Sequence, residues 1–437
     1  MRFFGFKGGV HPNDNKKRTE NMATEKISMP KMLYIPLLQH IGSPLEPLVK
    51  VGDKVLKGQK IADSEGFMTA PIHASTSGTV KKIDLHDFTL MGRVKTIFLE
   101  PDGEETWCEL IPLANYETAT KEDLLKQIRE CGVVGLGGAS FPTHIKLNPP
   151  AGARIDTLLL NGAECEPYLN SDNRMMLEHP EKIIKGIEIL KYILGVKTAI
   201  IGIEDNKPES IEILKRHLGD TGIEIAPLKT MYPQGGEKQL IKAILNREVP
   251  SGKLPLNVGV VVQNTGTAAA IYDAVAHGKP VIEKIVTVSG LAVKNPKNLL
   301  VPIGTQISNL LDYCETDRVV IDKLVVGGPM MGMAQYTPDV PVIKGTSGVL
   351  ALTTAETNPY KPRPCIACGK CVDVCPMSLV PALYVRLGAS GMWEEMRDSN
   401  VMDCIECGCC SYICPANRPL TECIKLGKAS LRKMMNR

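Results

Sequence analysis

The middle of the chain alternates between segments with the apolar spacing of a helix and short runs of aliphatic residues. Helical spacing occurs in residues 121–130, 181–194, 209–218, 238–245 and 267–277, and short aliphatic runs fill residues 155–160, 198–203, 223–228 and 258–263. Strands that alternate with helices favour a mostly parallel sheet that is covered on both faces. We therefore predict a multidomain α/β and α+β protein whose Rossmann-like parallel-sheet domain spans residues 119–280.

Two β-rich regions flank this domain. Between residues 45 and 83, short alternating strands are separated by Gly-Asp, Lys-Gly and Ser-Gly turns, which predicts a small all-β unit within residues 1–118. In residues 281–352, aliphatic runs at 285–288, 324–326 and 340–343 accompany one helix at 306–313. This second pattern predicts a small α+β module. Residues 353–437 begin with a linker that contains three prolines and continue with helical patterns at 381–387 and 421–434, which predicts a helical domain.

Composition and cysteine usage limit the classes of partner and the cellular compartment that we predict for this chain. The chain has 437 residues, of which 43% are hydrophobic and 23% charged, and its formal net charge is only +3, so we predict no nucleic-acid partner. The longest aliphatic runs are far shorter than the roughly 18 residues that a membrane span requires, and the N-terminus has no apolar core of signal-peptide length. Six of the 14 cysteines are scattered without a framework, which is typical of a reducing compartment. We therefore predict a cytoplasmic protein without a transmembrane segment of its own.

The other eight cysteines form two near-identical blocks, at residues 365–376 and 404–415. Each block has the spacing C-x2-C-x2-C-x3-C-P, which ligates iron–sulfur clusters in bacterial-type ferredoxins. In that arrangement three cysteines of a block hold one cluster, and the fourth reaches across to the other cluster. We predict two 4Fe-4S clusters, one held by Cys365, Cys368, Cys371 and Cys414, the other by Cys404, Cys407, Cys410 and Cys375.

Structural zinc or disulfides are the alternatives to clusters. Tetrahedral zinc sites are normally closed by paired C-x2-C units, which leaves the third cysteine and the Cys-Pro of each block unexplained. Cys409 is spaced one residue too close to Cys407 to serve as a ligand and is interpreted as a packed thiol. Two clusters in one chain indicate a protein that moves electrons.

A glycine-rich segment at residues 132–146 is a candidate nucleotide loop. Glycines at Gly135, Gly137 and Gly138 expose consecutive backbone N–H groups and let a planar or phosphorylated ligand approach the main chain. The segment follows a helix instead of a strand, so it does not meet the Rossmann dinucleotide pattern, and taken alone a structural loop is the more frequent interpretation.

Further polar segments follow predicted strands. Residues 161–167 (Asn-Gly-Ala-Glu-Cys-Glu-Pro) and residues 263–267 (Gln-Asn-Thr-Gly-Thr) lie at strand carboxyl ends, where ligands of open α/β sheets bind, and the second segment leads into a helix N-terminus suited to phosphate. Residues 232–238 add Tyr232 and Glu237 between two such elements. Together these segments indicate a flavin site.

Two family resemblances rest on these motifs. The G-x-G-G-x-x-F-P-T-x-x-K loop, the N-x-x-E-x-E-P segment and the later Asn-Thr pair resemble the FMN- and NADH-binding subunit of respiratory complex I. The full order of segments, from Gly-Gly-Val-His-Pro at residues 8–12 to the two cysteine blocks, resembles the C subunit of the Rnf complex. Residues 45–83 are similar to the biotinyl/lipoyl barrel-sandwich family, although the hairpin tip at residues 65–70 lacks that family's lysine. Residues 281–352 weakly resemble the β-grasp modules that accompany flavoprotein subunits.

The resemblance implies roles for individual residues and assigns no general acid or nucleophile. It places FMN against the glycine loop, Lys146 and the strand-end amides, with Phe141 stacked on the nicotinamide or adenine and Glu166 and Glu237 near the NADH. Ala163 and Gly236 stand where complex I has acidic residues, which makes the NADH geometry differ from that family's pattern. The implied cofactor-binding residues are Gly135, Gly137, Gly138, Phe141, Lys146, Asn161, Glu164, Glu166, Tyr232, Glu237, Asn264 and Thr265.

The Rnf resemblance implies a ferredoxin:NAD+ oxidoreductase that is part of an ion-transporting translocase. The chain would be its NAD-facing subunit, peripheral on the cytoplasmic side of the cell membrane, with two 4Fe-4S clusters, FMN and NAD(H). Its partners would be ferredoxin-like and membrane subunits, which move Na+ or H+. Two alternatives stay open: a soluble flavin and iron–sulfur reductase of the cobalamin-reductase type, and an electron relay whose nucleotide pocket is vestigial.

Overall fold

The computed structural model describes residues 5–89, 92–113, 115–357 and 360–435. The N-terminal region forms two small sheets with strand orders β2-β8-β7-β4 and β3-β5-β6. Aliphatic side chains such as Leu33, Ile61 and Leu99 are fully buried in the core that the two sheets share, which confirms the predicted all-β unit. The strands are β1 (Thr24–Lys26), β2 (Leu33–Pro36), β3 (Glu46–Pro47), β4 (Lys54–Val55), β5 (Lys60–Asp63), β6 (Ile72–His73), β7 (Gly78–Asp87) and β8 (Arg93–Pro101).

The central region is a parallel sheet with helices on both faces. Its strand order is β11-β10-β9-β12, and each neighbouring pair is parallel. Helices α1, α4, α5 and α7 bury their apolar sides on one face, and α6 covers the other. The predicted α/β domain is therefore confirmed. Its elements are α1 (Lys121–Glu130), α2 (Thr143–Lys146), β9 (Thr157–Gly162), α3 (Ser171–Glu178), α4 (Pro180–Leu194), β10 (Thr198–Glu204), α5 (Pro208–His217), β11 (Ile223–Leu228), α6 (Glu237–Leu245), β12 (Val260–Asn264) and α7 (Thr265–His277).

Local sequence explains where α4 begins and ends and how closely it packs against α7. Pro180 is the first residue of α4, where its missing N–H leaves no hydrogen bond unmade, and Gly195 ends the helix at a φ of 66°. A Cβ at Gly186 would lie 1.9 Å from the carbonyl oxygen of Ala268, so this glycine lets α4 pack directly against the first turns of α7. The close packing fixes the start of α7 beside the strand ends.

The third unit is a mixed sheet of six strands in the order β1-β14-β13-β17-β15-β16. Its first strand comes from residues 24–26, so the predicted N-terminal region 1–118 is shared between the barrel and this sheet. The run at residues 340–343 was predicted to be a strand, but it forms an isolated antiparallel bridge between Pro341 and Gln306 instead of a strand, with Val340 and Val342 fully buried. The elements are β13 (Glu283–Ser289), β14 (Lys297–Pro302), α8 (Ile307–Tyr313), β15 (Lys323–Val326), β16 (Met333–Gln335) and β17 (Gly348–Leu352).

The C-terminal unit is helical, as predicted. Helices α10, α11 and α13 pack around a small apolar core that includes Tyr384, Met396 and Ile424. Across the residues that the structure describes, no helix combines the length and the apolar character needed to cross a membrane. The helices are α9 (Lys370–Asp373), α10 (Pro381–Ala389), α11 (Trp393–Asp398), α12 (Cys409–Tyr412) and α13 (Leu420–Met435).

Candidate functional site

Two amide side chains lie side by side at the carboxyl end of the parallel sheet. Asn161, in β9, is the register partner of Asn264, the last residue of β12. Asn264 also begins α7, because its Oδ1 accepts a hydrogen bond from the backbone N–H of Thr267 at 3.2 Å. The positive end of α7 therefore points to the same edge of the sheet. Thr265 is fully buried there, and its hydroxyl has no hydrogen-bond partner among the described residues.

The glycine loop lies over the start of α7. The backbone N–H of Gly135 donates to the carbonyl of Phe141 at 2.9 Å, which closes the loop, and the N–H of Leu136 donates to the Thr267 hydroxyl at 2.9 Å. A Cβ at Gly137 would lie 3.2 Å from the Asn264 side chain. Gly138 has a φ of 108° and open space around it, so the loop can accept a ligand close to its main chain.

Two further contacts complete a closed ring of segments around this sheet edge. Lys146 forms an ion pair with Glu237 at 2.7 Å, and the Asn161 side chain donates to the carbonyl of Gly235 at 2.8 Å. We call this arrangement the strand-end ring; it consists of residues 135–141, Lys146, Asn161, residues 235–237 and residues 264–265. The structure thus brings together the predicted residues Gly135, Gly137, Gly138, Phe141, Lys146, Asn161, Glu237, Asn264 and Thr265.

The glycine loop is held from below by a buried lysine of the third unit. The ammonium group of Lys344 donates to the carbonyls of Gly132 at 2.6 Å and of Pro71 at 2.8 Å, so it joins the loop's base to the barrel. Burial lowers the pKa of Lys344 to about 7. Sequence inspection did not identify this residue, because a single lysine far along the chain carries no pattern.

Glu164 lies directly behind the ring. Its carboxylate accepts hydrogen bonds from the Ser171 hydroxyl at 3.1 Å and from the backbone N–H groups of Asp172 and Asn173 at 3.0 and 3.2 Å. It therefore stabilises the N-terminus of α3, and any effect on a ligand acts through that helix.

Asp172, which the sequence analysis did not select, is placed beside the ring by that helix. Its carboxylate accepts a hydrogen bond from the Asn264 side chain at 2.8 Å. Burial and, to a smaller extent, the nearby Glu164 carboxylate together raise the pKa of Asp172 to about 6, although Lys284 and the Asn264 hydrogen bond oppose the rise. In the sequence, the signal for this residue is the helix-start pattern Asn170-Ser171-Asp172.

Asp172→Asn is expected to bind FMN more tightly than the unchanged protein above pH 6. The wild-type carboxyl loses its proton as the pH rises through about 6, which adds a negative charge beside the anionic cofactor, whereas asparagine stays neutral and can still accept from Asn264. We expect the ratio of wild-type to variant dissociation constants to be near one at pH 5 and about tenfold at pH 8.

Fluorescence titration of the two apoproteins across pH measures this ratio. The phosphate of FMN titrates equally with both proteins, so its contribution cancels. The exposed Asp220→Asn is the matched control and should show a ratio near one throughout. A constant ratio for Asp172→Asn from pH 5 to pH 8 would contradict the placement of the cofactor.

Glu166 and Tyr232 lie outside the ring: Glu166 contacts the third unit, and Tyr232 contacts the C-terminal unit. The Glu166 carboxylate accepts hydrogen bonds from the backbone N–H groups of Met330 and Met331 at 3.1 and 2.9 Å, and burial raises its pKa to about 7. The Tyr232 hydroxyl donates to the carbonyl of Cys407 at 2.7 Å, and its side chain is buried. Glu166 was predicted to lie near the NADH from its match to the family motif, and Tyr232 was predicted as an aromatic ring between two site segments. In the structure the polar groups of both side chains make hydrogen bonds to other parts of the chain.

Five cysteines line one cavity in the C-terminal unit. Apolar side chains such as Leu379, Tyr384 and Ile424 complete its lining. The cavity therefore brings the last cysteine of the first block beside cysteines of the second block, and crossed ligation of the clusters stays a prediction. The five cysteines are the predicted ligands Cys375, Cys404, Cys407 and Cys410, together with Cys409.

The other four cysteines occupy the outer part of this unit. Cys371 and Cys414 pack against the same apolar cluster, which Val385, Cys410 and Leu420 form, so the structure brings the last cysteine of the second block close to the third cysteine of the first. Cys365 and Cys368 are exposed. Within the described part of the chain, no three His, Cys, Asp or Glu side chains are close enough to share a single metal ion. Cys409 is fully buried, and its thiol lies 3.9 Å from the carbonyl oxygen of Tyr232.

The local backbone fits cluster ligation in both blocks. Gly369 and Gly408 have φ values of 76° and 80°, and each is followed by a single helical turn that carries the third cysteine. Backbone N–H groups donate to thiol sulfurs at matching places, as is common around iron–sulfur clusters. These bonds are Ala367 to Cys365 (3.4 Å), Glu406 to Cys404 (3.4 Å), Leu379 to Cys375 (3.3 Å) and Arg418 to Cys414 (3.5 Å).

The comparisons with protein families assign each unit. A model described as the RnfC barrel sandwich hybrid domain matches residues 4–104, and the Nuo51 FMN-binding domain matches residues 128–273. The SLBB domain matches residues 285–334, and a 4Fe-4S dicluster domain matches residues 358–415. The chain therefore combines a barrel-sandwich domain, an FMN-binding domain and a dicluster domain.

Several relatives match over almost the whole chain. The C subunit of the proton-translocating ferredoxin:NAD(+) oxidoreductase complex of Clostridium ljungdahlii is 47% identical over 98% of this chain and 94% of its own length. The C subunit of the Na(+)-translocating complex of Acetobacterium woodii is 43% identical over 98% and 97%. That of the ion-translocating oxidoreductase complex of Rhodobacter capsulatus is 44% identical over 100% and 85%.

A solved structure shares the fold at lower similarity. The NAD+-reducing [NiFe]-hydrogenase in its air-oxidised state matches with a TM-score of 0.51 and 19% identity over 65% of this chain and 55% of the hydrogenase chain. With the near full-length relatives at 43–47% identity, the chain belongs to the RnfC family, the C subunits of ion-translocating ferredoxin:NAD(+) oxidoreductase complexes.

Proposed function

We propose that this chain exchanges electrons between NAD(H) and its two 4Fe-4S clusters through FMN held in the strand-end ring. The observation that carries the proposal is the short connection between the ring and the thiol cavity. Gly235 binds Asn161 of the ring, and Tyr232, three residues earlier, binds the backbone of Cys407. On the same side, the Gln239 side chain of α6 donates to the carbonyl of Pro376 at 3.4 Å.

The residues of the ring fit the chemical groups of FMN. The α7 N-terminus and the loop's N–H groups suit the phosphate, and the unpartnered Thr265 hydroxyl offers a further hydrogen bond. Lys146 supplies a cation near the isoalloxazine, where it stabilises negative charge on the reduced ring. When bound, FMN accepts a hydride from NADH and releases two electrons singly, or performs the reverse.

We infer that NAD(H) binds on the solvent side of the ring. Gly137 and Gly138 are exposed there, and Phe141 is half-buried beside them, so its ring can stack on the nicotinamide or the adenine. Glu237 reaches the same side through its ion pair with Lys146. Glu166 is not assigned a direct contact, because both of its carboxylate oxygens accept from the third unit.

The two groups of cluster cysteines differ in their surroundings, and from this difference we infer the order of electron transfer. The cavity of Cys375, Cys404, Cys407 and Cys410 adjoins the ring, whereas the first group contains the exposed Cys365 and Cys368. Lys361, Arg363 and Lys370 are exposed around these two cysteines, which favours an acidic redox partner. We infer the path partner, first cluster, second cluster, FMN, NAD(H).

The remaining units suit docking in a larger complex. The barrel hairpin tip presents Phe67 with 81% of its surface exposed, and the third unit, which we interpret as β-grasp-like, crosses one helix over a mixed sheet. Ion transport is assigned to membrane subunits of the complex, with this chain peripheral on the cytoplasmic side. The full-length relatives favour this function over a cobalamin-reductase type enzyme or a simple relay.

Anaerobic reconstitution with iron, sulfide and FMN tests the proposal. We expect each chain to hold two clusters and one FMN, and NADH to bleach the absorbance of the oxidised flavin at about 450 nm. A protein that holds both clusters but binds no FMN, or whose FMN does not respond to NADH, would support a relay instead.

A further inference from the structure

We propose that the N-terminal residues 8–16, here called the strap, position the second cluster against the flavin site and so set the rate of electron exchange between them. The strap contains the Gly-Gly-Val-His-Pro sequence, which neither the ring nor the thiol groups use. The inference rests on the proposed function, because it assumes that FMN occupies the strand-end ring.

The two glycines of the strap touch the cluster ligand that crosses between the blocks. The backbone N–H of Gly9 donates to the carbonyl of Val374 at 2.9 Å, one residue before Cys375. A Cβ at Gly8 would lie 2.8 Å from the Cys375 carbonyl carbon and oxygen and from the Val374 oxygen. Gly8 also has a φ of 83°, so both its space and its backbone conformation require glycine.

The next residue joins the strap to the turn that forms part of the ring. Val10 and Tyr232 exchange two backbone hydrogen bonds, of 2.8 and 2.9 Å. That turn continues to Gly235, whose carbonyl accepts a hydrogen bond from the Asn161 side chain. The Tyr232 hydroxyl donates to the Cys407 carbonyl. Residues 8–10 of the strap therefore connect the backbone beside Cys375 to the turn at residues 232–235. That turn contacts the ring through Gly235 and the thiol cavity through Tyr232.

The far end of the strap is anchored in the loop after β9. The backbone N–H of Tyr168 donates to the Asp14 carbonyl at 2.6 Å. The ammonium group of Lys16 is buried, which lowers its pKa, and it donates to the carbonyls of Glu164 and Glu166 at 3.0 and 2.9 Å. The strap is therefore hydrogen-bonded to other parts of the chain near both of its ends.

These contacts give the strap a positioning role. Cys375 is the one ligand of the second group that comes from the first block, so the strap acts on the ligand whose position depends most on how the two blocks are arranged. Electron transfer falls steeply with the separation of the two redox groups. A displacement of the Cys375 backbone therefore changes the transfer rate more than it changes cofactor content.

The test compares Gly8→Ala with Gly103→Ala in the full-length reconstituted protein. Gly103 is the matched control because it has a φ of 85° and nothing within 4 Å of its Cβ position, so it reproduces the backbone strain without the contact. In Gly8→Ala we expect unchanged FMN and iron, but slower oxidation of the chemically reduced second cluster by NAD+, by about tenfold or more. In the cluster-free protein, we expect faster hydrogen exchange at Gly9 and Val10.

Val10→Ala is the second variant, since the Val10 side chain packs in one apolar cluster with Tyr232 and Cys407, and trimming it loosens the strap without adding an atom. It should alter the electron paramagnetic resonance spectrum of the second cluster and leave that of the first unchanged, and it decides the case if Gly8→Ala does not fold. Equal oxidation rates, exchange and spectra in wild type, Gly8→Ala and Val10→Ala would overturn the proposal. If wild type itself shows no oxidation by NAD+, the flavin assignment has failed instead of the strap.

Discussion

Replacing Cys375 with alanine is expected to remove the cluster held by the second cysteine block and to leave the first cluster in place. The Cys375 thiol lines one cavity with Cys404, Cys407 and Cys410, and the first block retains Cys365, Cys368 and Cys371 together with Cys414. The variant should lose about half of its iron, because each cubane depends on four thiolates. Iron analysis and the electron paramagnetic resonance spectrum of the reduced protein measure both changes.

Cys409→Ala is the control for this prediction. Cys409 lines the same cavity as the predicted ligands, but its buried thiol lies against Tyr232, and the spacing of the cysteines gives it no cluster. It should retain the full iron content and both spectra. Loss of only the first cluster in Cys375→Ala would show that each block holds its own cluster.

Gly137→Val is expected to abolish FMN binding at micromolar cofactor while both clusters are retained. Even a Cβ at this position would lie 3.2 Å from the Asn264 side chain, so the branched side chain must displace Asn264 and fill the entrance of the ring. Overpacking of this kind costs about 2–3 kcal/mol, which corresponds to a roughly 30- to 150-fold weaker affinity. Equilibrium dialysis against FMN, with iron counted in the same samples, measures the result.

Gly5→Val provides the matched control, because no atom of residues 5–89, 92–113, 115–357 or 360–435 lies within 4 Å of a Cβ at Gly5, and its φ does not require glycine. This variant should bind FMN as the unchanged protein does. Wild-type affinity in Gly137→Val would place the cofactor away from the glycine loop and the start of α7.

Much of the α/β domain could be predicted from apolar periodicity alone. The helix at 121–130 and the strand at 223–228 were assigned with the bounds that the structure has, because their hydrophobic faces are continuous. The buried run at 340–343 has the same apolar pattern as a strand, but its pairing is an isolated bridge between Pro341 and Gln306, which is too short to form one. The strand β1 was missed as part of that unit, since its pairing with β14 joins residues far apart in sequence.

In the candidate site, too, some residues could be predicted from local sequence and others could not. The cysteine ligands follow from spacing, since local turns determine where these thiols point. Glu164 and Glu166 are two residues apart in sequence, yet one caps α3 and the other accepts from Met330 and Met331. Which of two neighbouring carboxylates faces a ligand depends on tertiary contacts, and these are absent from the local pattern. Asp172 and Lys344 contribute through such contacts alone.

The central claim is that a flavin pocket adjoins the second cluster within one chain. It is tested most directly by mixing chemically reduced, fully loaded protein with NAD+ and freezing samples at millisecond intervals for electron paramagnetic resonance. The spectra of Cys375→Ala and Cys414→Ala assign the two signals. We expect the second cluster's signal to disappear before that of the first, because the cavity proposed for the second cluster is the one connected to the ring through Tyr232. Oxidation of the first cluster ahead of the second, or of neither, would contradict the account.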